Sequence, residues 1–129
     1  MDETIPETQA TRILVIDDEQ PIRHLVSEAL TKIGWEVDAA ANADEALRMI
    51  REKLYHAAII DFALPDMDGI RLHSEIRRLD SELAEHTLFM SGVEQSDDRL
   101  KYYADSGGFL AKPFDIRNLI RRMREIVGT

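Results

Sequence analysis

The chain has 129 residues, room for one domain of ordinary size, and its 44% hydrophobic and 32% charged residues suit a core beneath a solvated surface. With 16 Lys and Arg against 25 Asp and Glu, the net charge is −9, which argues against a module that grips nucleic-acid phosphates or anionic lipid by bulk charge. Cysteine is absent, so disulfides, thiolate metal sites and a Cys nucleophile are excluded.

Residues 1–10 are polar and acidic, lack the apolar stretch of a signal peptide, and read as a flexible leader to a domain over 11–129. No apolar run approaches the ~20 residues a bilayer span needs, so a soluble, cytoplasmic protein is expected. Ile13-Leu14-Val15-Ile16 is a β-rich run that ends in Asp17-Asp18. Ile22, Leu25, Val26, Ala29, Leu30 and Ile33 then follow helical spacing, with Pro21 in the first turn and Gly34 at the end. Trp35 to Ala40 reads as a second strand, and Asn42 as the N-cap of a helix carrying Ala46, Leu47, Ile50 and Leu54 on one side.

The same alternation continues. Ala57-Ala58-Ile59-Ile60 is a buried-type strand ending in Asp61, and Pro65 and Gly69 punctuate a loop before a helix bearing Leu72, Ile76 and Leu79. Thr87 to Met90 is a fourth strand, closed by Ser91-Gly92. A helix over about Ser96 to Ala104 and a short strand Phe109-Leu110-Ala111 precede Lys112-Pro113. Asp115 caps a last helix with Ile116, Leu119, Ile120, Met123 and Val127 inward. Strands apolar throughout, alternating with helices, imply a parallel sheet covered on both faces. Right-handed crossovers make it doubly wound.

That architecture locates the chemistry. Asp17, Asp18, Asp61, Ser91 and Lys112 all fall where a strand ends, at the sheet edge where open α/β folds bind ligands. Three carboxylates converging there repel one another, and a hard divalent cation relieves the conflict. Oxygen-only ligands suit Mg²⁺. With the Lys112 ammonium and the Ser91 hydroxyl, these are the parts of a phosphoryl-transfer site, and a carboxylate there can act as nucleophile.

The ordered set Asp17-Asp18, Asp61-Phe62-Ala63-Leu64-Pro65-Asp66-Met67-Asp68-Gly69, Met90-Ser91-Gly92 and Lys112-Pro113-Phe114 resembles the motifs of response-regulator receiver domains. The resemblance covers about residues 11–127, and parts of the later stretch are similar to receivers of hybrid histidine kinases. It implies a flavodoxin-like five-stranded parallel sheet of order 2-1-3-4-5 with five helices. It implies that Asp61 accepts a phosphoryl group from a histidine kinase or phosphotransfer protein. Asp18 would coordinate Mg²⁺ directly, Asp17 directly or through water, and the Ala63 carbonyl would add a ligand beside Asp61. Lys112 and Ser91 would contact the phosphoryl oxygens, Phe109 would be the switch aromatic, and the Lys112-Pro113 bond would be cis. Ala63 and Val93 stand at the positions from which receivers orient a hydrolytic water, and neither has a polar side chain, which implies a long-lived acyl phosphate.

The expected protein is thus a regulatory phosphoacceptor rather than an enzyme, acting on a downstream protein or a fused domain, without binding nucleic acid or membrane itself. Two alternatives stand beside it. One is a pseudo-receiver that is never phosphorylated, against which the intact acidic, hydroxyl and lysine set argues. The other is a Mg²⁺-dependent phosphohydrolase, which would need an acid/base carboxylate at position 63, where the residue is Ala. Other features carry ordinary readings: surface positions for His24, His56, His73 and His86, a loop for Asp66-Met67-Asp68, and a solvated or docking face for Arg117, Arg121, Arg122 and Arg124.

Overall fold

The computed structural model describes residues 10–92 and 108–128. In chain order these form β1 (Arg12–Ile16), α1 (Gln20–Lys32), β2 (Glu36–Ala40), α2 (Ala43–Glu52), β3 (Ala57–Asp61), α3 (Gly69–Leu79), α4 (Ser81–Glu85), β4 (Thr87–Ser91), β5 (Phe109–Ala111) and α5 (Ile116–Val127). All strand pairings are parallel and the order is β2-β1-β3-β4-β5, the flavodoxin-like arrangement expected. The expected leader (apart from Ala10), the helix over Ser96–Ala104 and Val93 lie outside the described residues. No described helix is long and apolar enough to cross a membrane.

Side-chain alternation along each strand sends successive residues to opposite faces, and that explains the unbroken apolar runs. Leu14, Ile16, Ala58, Ile60 and Phe89 meet α2, α3 and α4 through Ala46, Ile50, Leu72, Ile76 and Leu83. Ile13, Val15, Ile59, Leu88 and Met90 meet α1 and α5 through Val26, Leu30, Leu119 and Met123. Every residue of β3 and β4 is buried, whereas the edge strand β2 is half exposed. Burying one such Leu or Ile contributes about 1.5–3 kcal/mol, so two covered faces stabilise the sheet far more than any one polar contact.

The expected caps form. Asn42 accepts a hydrogen bond from the Glu45 amide, and Asp115 accepts one from Arg117. Pro21 sits in the first turn of α1, and Gly34, at φ +95°, follows its end. The second strand starts at Glu36 rather than Trp35, which packs half-buried against the core.

Leu54, expected on the apolar side of α2 with Ala46, Leu47 and Ile50, instead lies beyond the helix end and is exposed. Two further findings differ from expectation. Helix α4 was not foreseen: Asp80 ends α3 and its side chain caps α4 by accepting from the Leu83 amide. The surface reading of His73 is wrong, because the residue is 1% exposed. Gly69, Leu72, His73 and Ile76 are the buried residues of α3, one stripe of helical spacing, so His73 faces the core with its apolar neighbours. Its Nε2 donates to the Ala84 carbonyl at 2.7 Å, which satisfies the buried ring and ties α3 to α4.

Candidate functional site

Four strand ends build the site. β1 runs directly into Asp17, whose amide donates to the Ala40 carbonyl at 3.1 Å and continues the β1–β2 ladder. β3 ends on Asp61 itself, with the Phe62 amide donating to Met90 at 2.8 Å. β4 ends on Ser91, whose carbonyl accepts from the Lys112 amide at 2.8 Å, so the lysine leaves β5 beside the serine. The Lys112-Pro113 peptide bond is cis, as the resemblance implied.

Lys112 draws the acids together. Its Nζ donates to Asp17 Oδ2 at 2.8 Å, to Glu19 Oε2 at 3.1 Å and to Asp61 Oδ2 at 3.4 Å. Asp17 is wholly buried, Asp61 is 6% exposed, and Ser91 is 1% exposed. Buried charges of this kind persist only when paired, and the ammonium pairs them. Burial works against the lysine's own charge, yet the carboxylates of Asp17, Glu19 and Asp61 outweigh it and hold its pKa above the ordinary range. Burial pushes the Asp61 carboxyl upward, and the Asp17 charge adds to the shift. The Ala63 amide, donating to Asp61 Oδ1 at 3.2 Å, and Lys112 oppose it.

Asp17, Glu19 and Asp61 each present a carboxylate oxygen, all within 4.8 Å of one another, so this trio could hold a metal ion. Asp18 is exposed and stands outside that trio. Glu19 is the member that the sequence reading missed. Its signal was its place in an acidic run, and the turn brings it over the site by bonding its amide to Asp17 Oδ1 at 2.9 Å. Ala63 is exposed on the loop after β3.

Phe109 is half-buried and packs on the α2–α3–α4 face, directly opposite Phe89 in the β4–β5 register. Ser91 pairs with Ala111 in that register, so Ser91 and Phe109 share one side of the sheet by alternation. The last helix is only partly a solvated face: Arg122 donates to the Phe109 carbonyl at 3.2 Å, and Arg121 pairs with Glu125 at 3.6 Å. Arg117, Ile120, Arg121, Arg124 and Glu125 line an open cavity of about 420 Å³ on α5.

Asp66 and Asp68, the carboxylates of the D-x-D motif, serve helix ends. Asp68 caps α3 by accepting from the Ile70 amide at 2.7 Å. Asp66 reaches across to α2, with Oδ1 3.0 Å from the Ala43 amide and Oδ2 3.0 Å from the Asp44 amide.

Known proteins share this arrangement. The chain matches the response regulator receiver domain family over residues 13–124. It is 32% identical over 124 residues to the probable transcriptional regulator ycf27 of Pyropia yezoensis, covering 94% of this chain and 49% of that protein. It is 29% identical over 122 residues to the transcriptional regulatory protein ResD of Bacillus subtilis, covering 94% and 50%. The chain therefore spans about half the length of these curated relatives. Among solved structures, a CheY-like receiver domain protein from Methanospirillum hungatei superposes with a TM-score of 0.83 at 26% identity, covering 93% of this chain and 95% of that one. The response regulator TrrA of Thermotoga maritima, solved in complex with Mg²⁺-BeF, superposes with a TM-score of 0.76 at 28% identity, covering 90% and 98%. Five parallel strands in the order 2-1-3-4-5, an acidic edge and this family match lead to one conclusion: the chain belongs to the response regulator receiver domains of two-component systems.

Proposed function

We propose that the chain accepts a phosphoryl group on Asp61 from the phosphohistidine of a histidine kinase or phosphotransfer protein. The observation that carries this reading is the buried Asp61 carboxylate set beside buried Asp17, with one ammonium bridging both. An Asp61 oxygen attacks phosphorus, the O–P bond forms as the donor's N–P bond breaks, and the freed imidazole takes up a proton. Three groups of the chain receive the transferred charge. Lys112 moves from the carboxylates onto a phosphoryl oxygen, the Ser91 hydroxyl donates to a second, and the Ala63 amide is at hand beside Asp61.

The acidic edge fits a hard cation, because its side-chain donors are all oxygens and those of Asp17, Glu19 and Asp61 already converge. Asp17, Asp18, Asp61 and the Ala63 carbonyl would hold Mg²⁺, which would neutralise phosphoryl charge when bound. Ser91 and Phe109 then couple the site to a partner. Drawing the Ser91 hydroxyl toward the phosphoryl group vacates space on the side of the sheet that Phe109 occupies, and two packings of Phe109 shift in population. The receiving partner is a downstream protein or a fused domain, and the role is regulatory. The net charge of −9 disfavours direct contact with duplex DNA.

Acetyl phosphate and Mg²⁺ test the reading. Intact-mass measurement should find one added phosphoryl group on the wild type and none on Asp61→Asn. Equal labelling of the two proteins, or no labelling of wild type at millimolar Mg²⁺, would reject Asp61 as the acceptor.

A further inference from the structure

The segment between β3 and α3 carries Ala63, whose amide touches the Asp61 carboxylate, so whatever fixes this segment fixes one wall of the site. Its inner end is tightly fixed. The Gly69 amide donates to the Phe62 carbonyl at 2.9 Å, Ala63 and Asp68 form an antiparallel bridge, and Asp68 caps α3. Its outer bend has a different anchor. The Asp66 carboxylate accepts hydrogen bonds from the first two amides of α2, on residues 23 and 22 positions away.

Those amides belong to a helix end that already has its own cap. Asn42 satisfies the Glu45 amide at 2.8 Å, and Asp66 satisfies Ala43 and Asp44. The two side chains together leave no free amide among the first three of α2. The bonds also draw the Asp66 carboxyl below the usual carboxylate range, the Ala43 amide contributing most. Two parallel bonds from rigid backbone donors fix both the place and the orientation of the planar carboxylate. Helix α2 is in turn fixed by Ala43, Ala46, Leu47 and Ile50, all buried against the sheet.

We infer that Asp66 is a positioning residue for the chemistry at Asp61: it clamps the loop 62–68 to the N-terminus of α2 and so holds the Ala63 amide on the acceptor carboxylate. The inference rests on the proposed phosphoacceptor role. The connection runs from α2 through Asp66 and the short bridge at Ala63 to Asp61. Released from α2, the loop keeps its inner bonds but loses the outer one, and the Ala63 amide loses its defined distance from Asp61. Groups that hold a reacting residue in register from outside typically matter by 10–100-fold.

Asp66→Ala and Asp66→Asn in the 129-residue chain, compared with wild type, test it. The rate of acetyl phosphate labelling at saturating Mg²⁺ should fall roughly tenfold in Asp66→Ala, the lower end of that range. Asp66→Asn, which keeps one acceptor oxygen, should fall between the two. Backbone amide NMR supplies the second readout. A cap acting only on α2 moves the Ala43 and Asp44 resonances alone, whereas the clamp also moves Ala63. An unchanged labelling rate, or an Ala63 resonance that stays at its wild-type position, overturns the inference. If wild type itself is not labelled, the phosphoacceptor reading fails instead, and the Ala63 resonance alone decides whether the clamp exists.

Discussion

The Lys112 ammonium lies closer to Asp17 than to the Asp61 carboxylate, at 2.8 Å against 3.4 Å. The lysine therefore serves first as the counter-charge of a wholly buried acid, and with its three N–H groups shared among Asp17, Glu19 and Asp61, contact with a phosphoryl oxygen requires it to give up one of them. Removing it strands Asp17 and Asp61 together. Lys112→Met should lose about 3 kcal/mol of unfolding free energy in the presence of a chelator, the scale for breaking one side of a buried pair. Mg²⁺ should restore more stability to the variant than it adds to wild type, because the ammonium no longer competes for the three carboxylates. Urea melts with and without Mg²⁺ measure both effects, and an equal Mg²⁺ increment in the two proteins would argue that lysine and cation do not compete.

Gly69 tolerates no side chain for a steric reason. A Cβ there would come within 2.8 Å of the Phe62 Cα and 2.9 Å of the Phe62 carbonyl oxygen, both backbone atoms one residue from Asp61. Backbone cannot rotate aside as a side-chain tip does. Gly69→Ala should cost about 2 kcal/mol, within the range for overpacking, and slow acetyl phosphate labelling. A melt at the wild-type midpoint would show that the turn yields freely.

Acid should weaken the fold through His73. A carbonyl only accepts, so the bond to Ala84 requires the proton on Nε2, and the ring is neutral in the fold. Burial holds its pKa below the ordinary 6.5. A histidine whose folded pKa is depressed leaves stability intact above the unfolded value. It lowers stability as pH falls from about 6.5 toward the depressed folded value, because the unfolded chain takes up the proton first. His73→Gln retains an N–H donor without a titrating ring, so its unfolding free energy should decline less between pH 7 and pH 5. Parallel curves for the two proteins over that interval would assign the acid sensitivity elsewhere.

The side chain at position 63 sets the lifetime of the acyl phosphate on the proposed reading. Hydrolysis needs a water held in line with phosphorus, and exposed Ala63 has no polar atom beyond its backbone with which to hold one. The double variant Ala63→Asn, Val93→Glu should lose its phosphoryl group several-fold faster than wild type. Timed intact-mass spectra after removal of acetyl phosphate would measure this, and equal or slower loss would count against a side-chain origin for the lifetime.

What the sequence made legible follows from the range of each interaction. Strand runs such as Ile13–Ile16 and Ala57–Ile60 announce themselves because burial on both faces leaves no polar alternation to confuse them. Asp17, Asp61, Ser91 and Lys112 were placed by the rule that ligands gather at the carboxyl ends of such strands. Asn42 and Asp115 were readable because a cap bonds within its own turn. Asp66 was not, since its partners lie on another helix and no local pattern marks them. His73 could have been found: it shares the helical stripe of Leu72 and Ile76, and only its polarity argued for the surface. Helix α4 escaped because Asp80 ends one helix and begins the next, leaving no loop to separate them.

Lys112 reaches Asp17 across 95 positions of sequence and Asp61 across 51. A sheet of β1, β3 and β4 without β5 would hold the two acids together with no ammonium to pair them. Dehydrating them in that partial sheet would be unfavourable, so its carboxyl edge stays wet until β5 docks on β4. Docking of β5 and drying of the carboxyl edge are thus thermodynamically coupled, because the lysine that arrives with the strand pairs both acids.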